Sequence, residues 1–151
     1  KKLESMGCRA IAAECGYFAY FQKEIAGYVD VPVFMSSLLQ VLFAQQLIGP
    51  DRVVGVLAAR KAQLLPEHLE NVGVQLQSNY VVAGAEDDGR CPEFENLWYA
   101  PVRPDPPQAY YDKAEKEFVE VAVDFYKAHP NMGALVLECT GMQPFARAIQ
   151  R

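Results

Sequence analysis

The stretch Arg52-Val-Val-Gly-Val-Leu-Ala-Ala59 is apolar at nearly every position. A strand with one wet face alternates apolar and polar residues, so an unbroken run suits a strand covered by helices on both faces. A parallel sheet is the natural host for such a strand, and it requires helical crossovers before and after. The rest of the chain supplies them. Cys8 to Ala13 reads as a strand, and Phe18, Phe21, Ile25 and Tyr28 then recur at helical spacing. Val31 to Met35 is a second compact run, followed by Ser36 and Ser37 at a helix start and by Leu38, Leu39, Leu42, Phe43 and Leu47. Gly49-Pro50 ends that helix.

Beyond the central run, Leu64 to Val72 is helical with Pro66 in its first turn, and Val74 to Val82 holds another extended segment. Regularity stops from Gly84 to Tyr111, where Asp87-Asp88-Gly89, Cys91-Pro92 and Pro101 to Pro107 are turn and breaker chemistry. Such a long connection is either a binding loop or a surface excursion with a short helix around Phe94 to Tyr99. Asp112 and Glu115 have capping-box spacing, and Phe118, Val121, Ala122 and Phe125 form an apolar stripe. Ala134 to Glu138 is the last strand, and Thr140 with Gln143 marks another helix start. The class is α/β.

At 151 residues the chain makes one ordinary domain or two small ones. Eight Phe and eight Tyr, with many aliphatic residues, exclude disorder. A net charge of −5 argues against a broad nucleic-acid or anionic-membrane partner. The longest apolar stretches, such as Leu38 to Ala44, fall short of the roughly 18 residues a membrane helix needs. The start, Lys1-Lys2-Leu3-Glu4-Ser5, has neither an initiator Met nor the hydrophobic run of a secretory signal, so a processed form or a fragment is expected. Four cysteines without a CxxC pair and two separate histidines point to no zinc site, no dense disulfide scaffold and reduced thiols in a cytoplasmic protein.

Two cysteines stand out. Glu14-Cys15-Gly16 and Glu138-Cys139-Thr140 each close a strand where a helix is about to begin, and in open α/β sheets ligands bind beyond the carboxyl ends of the strands. Amides at a helix start favour an anion, either a thiolate or a docked carboxylate. Two such thiols across a cleft can serve as acid and base on opposite faces of one carbon. The competing reading is a pair of small buried core residues. Cys8 and Cys91 lack this context and read as structural.

The segments Ala10 to Phe18, Val31 to Gln40 and Ala134 to Ala146, with Val81 to Asp87 and the helix from Asp112 to His129, resemble the aspartate/glutamate/hydantoin racemase superfamily over nearly the whole chain. The resemblance implies two similar lobes with parallel sheets and a cleft between them, residues 1–50 being the latter part of lobe one and 51–151 most of lobe two. It implies further segments before Lys1 and after Arg151. It also implies a cofactor-independent racemase or epimerase, an isomerase that acts on an amino acid, a hydantoin or a related carboxylate. Cys15 and Cys139 match the two proton-transferring thiols. Gly16, Tyr17, Thr140 and Gly141 fall on the substrate side, and Ser36 and Ser37 either join them or cap a helix. The departures are Gly16 and Gly141 in place of side-chain amides, and an acidic Glu14 before the first thiol.

A cysteine-dependent decarboxylase or cis–trans isomerase is the alternative within enzymes, and a noncatalytic small-molecule-binding domain, self-associating or not, is the alternative outside them. His68 and His129 read as solvent or helix-dipole partners. Trp98, Tyr99, Tyr110 and Tyr111 bracket the proline-rich loop, either packing it onto the body or covering a ligand. Asp87-Asp88 and Glu93/Glu95 read as a solvated turn.

Overall fold

The computed structural model describes residues 1–98, 102, 105–106 and 110–151. Short helix α1 (Lys2–Ser5) precedes strand β1 (Ile11–Ala12), a 3-10 turn (Gly16–Phe21) and α2 (Gln22–Tyr28). Strand β2 (Val33–Phe34) leads through a turn at Ser37–Leu39 into α3 (Gln40–Ile48). Then come β3 (Val53–Ala58), α4 (Pro66–Asn71), β4 (Tyr80–Gly84), α5 (Pro92–Trp98), α6 (Tyr111–Ala128) and β5 (Met132–Leu137). A second six-residue 3-10 turn (Thr140–Phe145) and α7 (Ala146–Gln150) follow.

The fold is mixed α/β with parallel sheets flanked by helices. Strands β4, β3 and β5 form one parallel sheet in that order, and β1 and β2 form a second parallel pair. The apolar run of β3 is accounted for by its central place. Val54 and Val56 point into a core shared with Ala19, Leu38, Val41, Leu69 and Val136, while Leu57 and Ala59 point into another with Phe94, Phe118, Met142 and Phe145. Period-two alternation therefore sends successive side chains into two different cores, and every position of this strand after Val53 is buried.

Helix α6 buries Ala114, Phe118, Val121, Ala122 and Phe125, one apolar stripe at helical spacing. It starts at Tyr111, with no side-chain cap, so the capping box expected at Asp112 and Glu115 is not formed. Gly49 ends α3 at φ +82°, a conformation open to glycine. Pro66 occupies the first turn of α4, where its missing N–H costs nothing.

Strands β1 and β2 are shorter than the runs Cys8 to Ala13 and Val31 to Met35. Their ladder closes after Ile11 N–H donates to Pro32 O and Ala13 N–H to Phe34 O, and Pro32 has no N–H to extend it. The extended segment from Val74 becomes a strand only at Tyr80, although Val74 itself is buried in the core. His68 is also placed differently from expectation. It is buried, its Nδ1 accepts the Leu65 amide at 2.9 Å, and its ring lies edge-on to Tyr17 and Tyr20. His129 caps the end of α6 against Phe125.

Candidate functional site

Cys15 and Cys139 occupy equivalent places. Each is the extended residue that precedes a six-residue 3-10 turn, and each turn runs into an α-helix. The segments carrying them are tied together at two points, and the turn at Ser37 holds the second segment at a third. A methyl group on Gly16 would overlap the Glu138 carbonyl oxygen and its Oε1, so only glycine permits this approach. The Thr140 hydroxyl donates a short hydrogen bond to the Glu14 carbonyl. The Ser37 hydroxyl donates to Leu137 O at 2.7 Å and, more weakly, toward Glu138 O at 3.3 Å.

Cys15 is exposed and Cys139 half-buried, and both are free thiols. Burial pushes the Cys139 thiol up to about 11, and the charges of Glu138, Cys15 and Glu86 add to the rise while the Gly141 amide opposes it. Cys139 is therefore a neutral thiol near pH 7. Its sensitivity to Cys15 sets the two sulfurs in one electrostatic neighbourhood. Cys91 is buried beside Phe94 and Phe118, and desolvation holds it at about 12, as befits a core thiol.

Two cavities open here. The larger, about 680 Å³, runs along β5 and includes Leu137, Cys139, Thr140 and Gln143 in its wall. The smaller, about 260 Å³, is bounded by Ala13, Gly16, Phe34, Ser36 and Leu39. Ser37, Gln40, Glu138 and Thr140 stand on the walls of both.

Several side chains expected to touch substrate are engaged elsewhere. Ser36 caps the following turn by accepting the Leu38 amide at 3.1 Å. Tyr17 OH accepts the Arg60 amide and donates to the Arg60 carbonyl, both at 3.0 Å. The capping box expected at Thr140 and Gln143 is absent because Cys139 occupies the cap position and the Thr140 hydroxyl turns to Glu14. Tyr111 leans on Phe145 and donates to Pro144 O at 3.0 Å, which packs this end of the loop onto the body. Tyr99 and the Trp98 side chain lie outside the described residues.

Glu93 and Glu95 are structural ties. Glu95 binds Arg60 at 2.9 Å, and Glu93 accepts the Tyr110 amide at 3.2 Å. Among the described residues, no group of three His, Cys, Asp or Glu side chains is arranged to hold a metal ion.

Sequence reasoning missed the carboxylates at the strand ends. Glu86, beyond β4, is buried and pairs with Arg60 Nε at 2.9 Å. Glu138, beyond β5, is 1% exposed, and neither Oε1 nor Oε2 has a hydrogen-bond partner among the described residues. Burial pushes its carboxyl up to about 7, with the nearby Ala59 amide pulling weakly the other way. The signal was legible: Ala134-Leu-Val-Leu-Glu138 ends a buried strand on an acid.

That carboxyl makes stability depend on pH. Between its ordinary 4.5 and about 7 the folded chain holds a proton that the unfolded chain has lost. Stability is therefore full below the lower value and falls as pH rises through the upper one. At about 1.4 kcal/mol per unit, the expected loss is about 3 kcal/mol. Glu86 and Glu117, also raised by burial, contribute with the same sign. Urea unfolding across this range measures the total, and Glu138→Gln removes the Glu138 share.

Fold and site together give an α/β protein with two free thiols and a carboxyl raised to about 7 beyond the carboxyl ends of parallel strands. Known proteins narrow the class. The chain is 31% identical over 144 residues to a dimethylsulfoniopropionate lyase of Durusdinium sp. clade D, which covers 93% of this chain and 45% of that protein. It is 28% identical over 156 residues to dimethylsulfoniopropionate lyase 3 of Emiliania huxleyi (98% and 38%), and 27% identical over 155 residues to lyase 7 of the same organism (99% and 44%). The chain thus spans less than half the length of these curated relatives. No protein-family model and no solved structure matches it.

These names overturn the racemase reading. The relatives are lyases, so the resemblance to the aspartate/glutamate/hydantoin racemase superfamily, the racemase or epimerase function and the isomerase class are withdrawn. The decarboxylase, the cis–trans isomerase and the noncatalytic binding domain gain no support from them either. The error has a chemical root. The two strand-end thiols were read as removing a proton beside a carboxylate, a step that inversion and elimination share. The leaving group on the next carbon separates the two reactions, and no motif in the chain spells it out.

Proposed function

We propose that the chain carries the thiol site of a carbon–sulfur lyase acting on dimethylsulfoniopropionate or a closely related β-sulfonium carboxylate. The observation that supports this reading is the similarity to relatives bearing that name along 93–100% of the chain.

The reaction is a β-elimination. A base removes the proton from the carbon next to the carboxylate, the electron pair forms the carbon–carbon double bond, and the carbon–sulfur pair departs with sulfur. The products are acrylate, neutral dimethyl sulfide and a protonated base. Cys15, the exposed thiol, is the base in its thiolate form. Cys139, kept neutral by burial, donates a hydrogen bond to the carboxylate as it gains enolate character, together with amides of Gly16, Thr140 and Gly141. In this reading residues 1–50 and 51–151 contribute to two lobes with the substrate between them, and the two separate parallel sheets are consistent with that division.

The test is direct. The protein is incubated with dimethylsulfoniopropionate, with headspace chromatography following dimethyl sulfide and liquid chromatography following acrylate. Equal release of both products is expected. Deuterium uptake from heavy water beside the carboxylate, with no sulfide released, would overturn the elimination.

A further inference from the structure

Among the described residues Glu138 is the one strand-end carboxylate in the site whose two oxygens both lack a hydrogen-bond partner, the Ala59 amide favouring its charge without closing a bond of ordinary geometry. Its counterpart Glu86 is provided with Arg60. A buried carboxylate has lost its hydration and recovers that loss only through donors or a cation. Its Oε1 lies over Gly16, and Gly16 and Glu138 share the wall of the 260 Å³ cavity.

The remaining wall says which cation fits. Ala13, Phe34 and Leu39 give the wall an apolar side, and Ser36, Ser37, Gln40 and Thr140 a polar one, on which the Ser37 and Thr140 hydroxyls already spend their protons on backbone carbonyls. An ammonium or guanidinium group brings three to five N–H donors, each needing an acceptor, and those turned toward Ala13, Phe34 and Leu39 find none. A cation sheathed in alkyl groups has no donors to satisfy. It requires only a countercharge, apolar contact and, where available, an aromatic face such as Phe34.

We propose that Glu138 is the counter-ion for an onium group, a permanently charged sulfonium or quaternary ammonium centre seated in the smaller cavity. The proposal deepens the lyase reading and rests on it for the carboxylate end of the ligand. It also predicts where the effect is felt. The attraction exists in the bound substrate and vanishes as neutral sulfide forms, so Glu138 sets affinity and selectivity and does not accelerate bond cleavage.

The test compares two ligands of one shape, 3-(trimethylammonio)propanoate and its uncharged carbon isostere 4,4-dimethylpentanoate, by titration calorimetry at a pH above 7. The protein is expected to prefer the onium by about tenfold or more. Glu138→Gln should bring the ratio close to one while leaving the isostere's affinity in place, and Glu138→Asp should restore part of it. With dimethylsulfoniopropionate, Glu138→Gln should raise KM far more than it lowers kcat. The absence of an onium preference in the unmodified protein overturns the proposal whether or not the variants fold. A preference that survives in Glu138→Gln overturns it as well. An onium preference that depends on Glu138, found in a protein that releases no dimethyl sulfide, upholds the counter-ion and sinks the lyase reading. Sulfide release with a preference indifferent to Glu138 does the reverse.

Discussion

Cys15→Ala is expected to lower the rate of dimethyl sulfide release by about a hundredfold to ten-thousandfold, the range a positioned base contributes. The loss should fall on kcat, because the thiolate acts on the proton in flight and holds little of the bound substrate. Cys15→Ser should be nearly as damaging, since a serine hydroxyl stays protonated at a pH where a thiolate forms. Cys139 separates the two thiol roles. Its burial keeps it neutral, with its ionisation held at about 11, and the proposed reaction uses it as a donor. Cys139→Ala should therefore cost activity, while Cys139→Ser, which retains an O–H, should recover a large part of it. Steady-state rates of the four variants check the assignment, and the opposite serine pattern would exchange the roles.

The largest expected change in stability comes from Phe118→Ala. Phe118 is fully buried, edge-on to Phe94 with ring centres 5.0 Å apart and stacked on Phe145 at 4.9 Å. It joins α5, α6 and the last residue of the turn that begins after Cys139. Removing a buried ring loses its transfer free energy and leaves a cavity, a cost of about 3–5 kcal/mol. Urea unfolding should show the midpoint fall with an unchanged slope, and a cost under about 1 kcal/mol would mean that this aromatic stack is not the keystone described. Because Phe145 closes the Cys139 turn, activity should fall in the same variant below its unfolding transition.

The proposed onium counter-ion and the pH-dependent stability trace to one residue. Glu138 costs the empty protein stability above pH 7, and a cation in the site would return it. A chain built for stability alone would place glutamine or leucine there.

Much of this was legible along the chain, because local chemistry repeats with the period of the element it builds. The apolar run through Val53–Ala58, the stripe from Ala114 to Phe125, the breaker at Gly49-Pro50 and the two cysteines at strand ends were all readable before any coordinate. The reaction was not readable there, since proton removal beside a carboxylate is common ground for several enzymes. The tertiary structure decided what depends on residues far apart in the chain: Gly16 lying against Glu138, the Thr140 hydroxyl reaching Glu14, Tyr17 held by Arg60, and a carboxyl shut away with no hydrogen-bond partner among the described residues. Periodicity says which face of an element is dry; only the meeting of two elements decides which polar group is left inside without company.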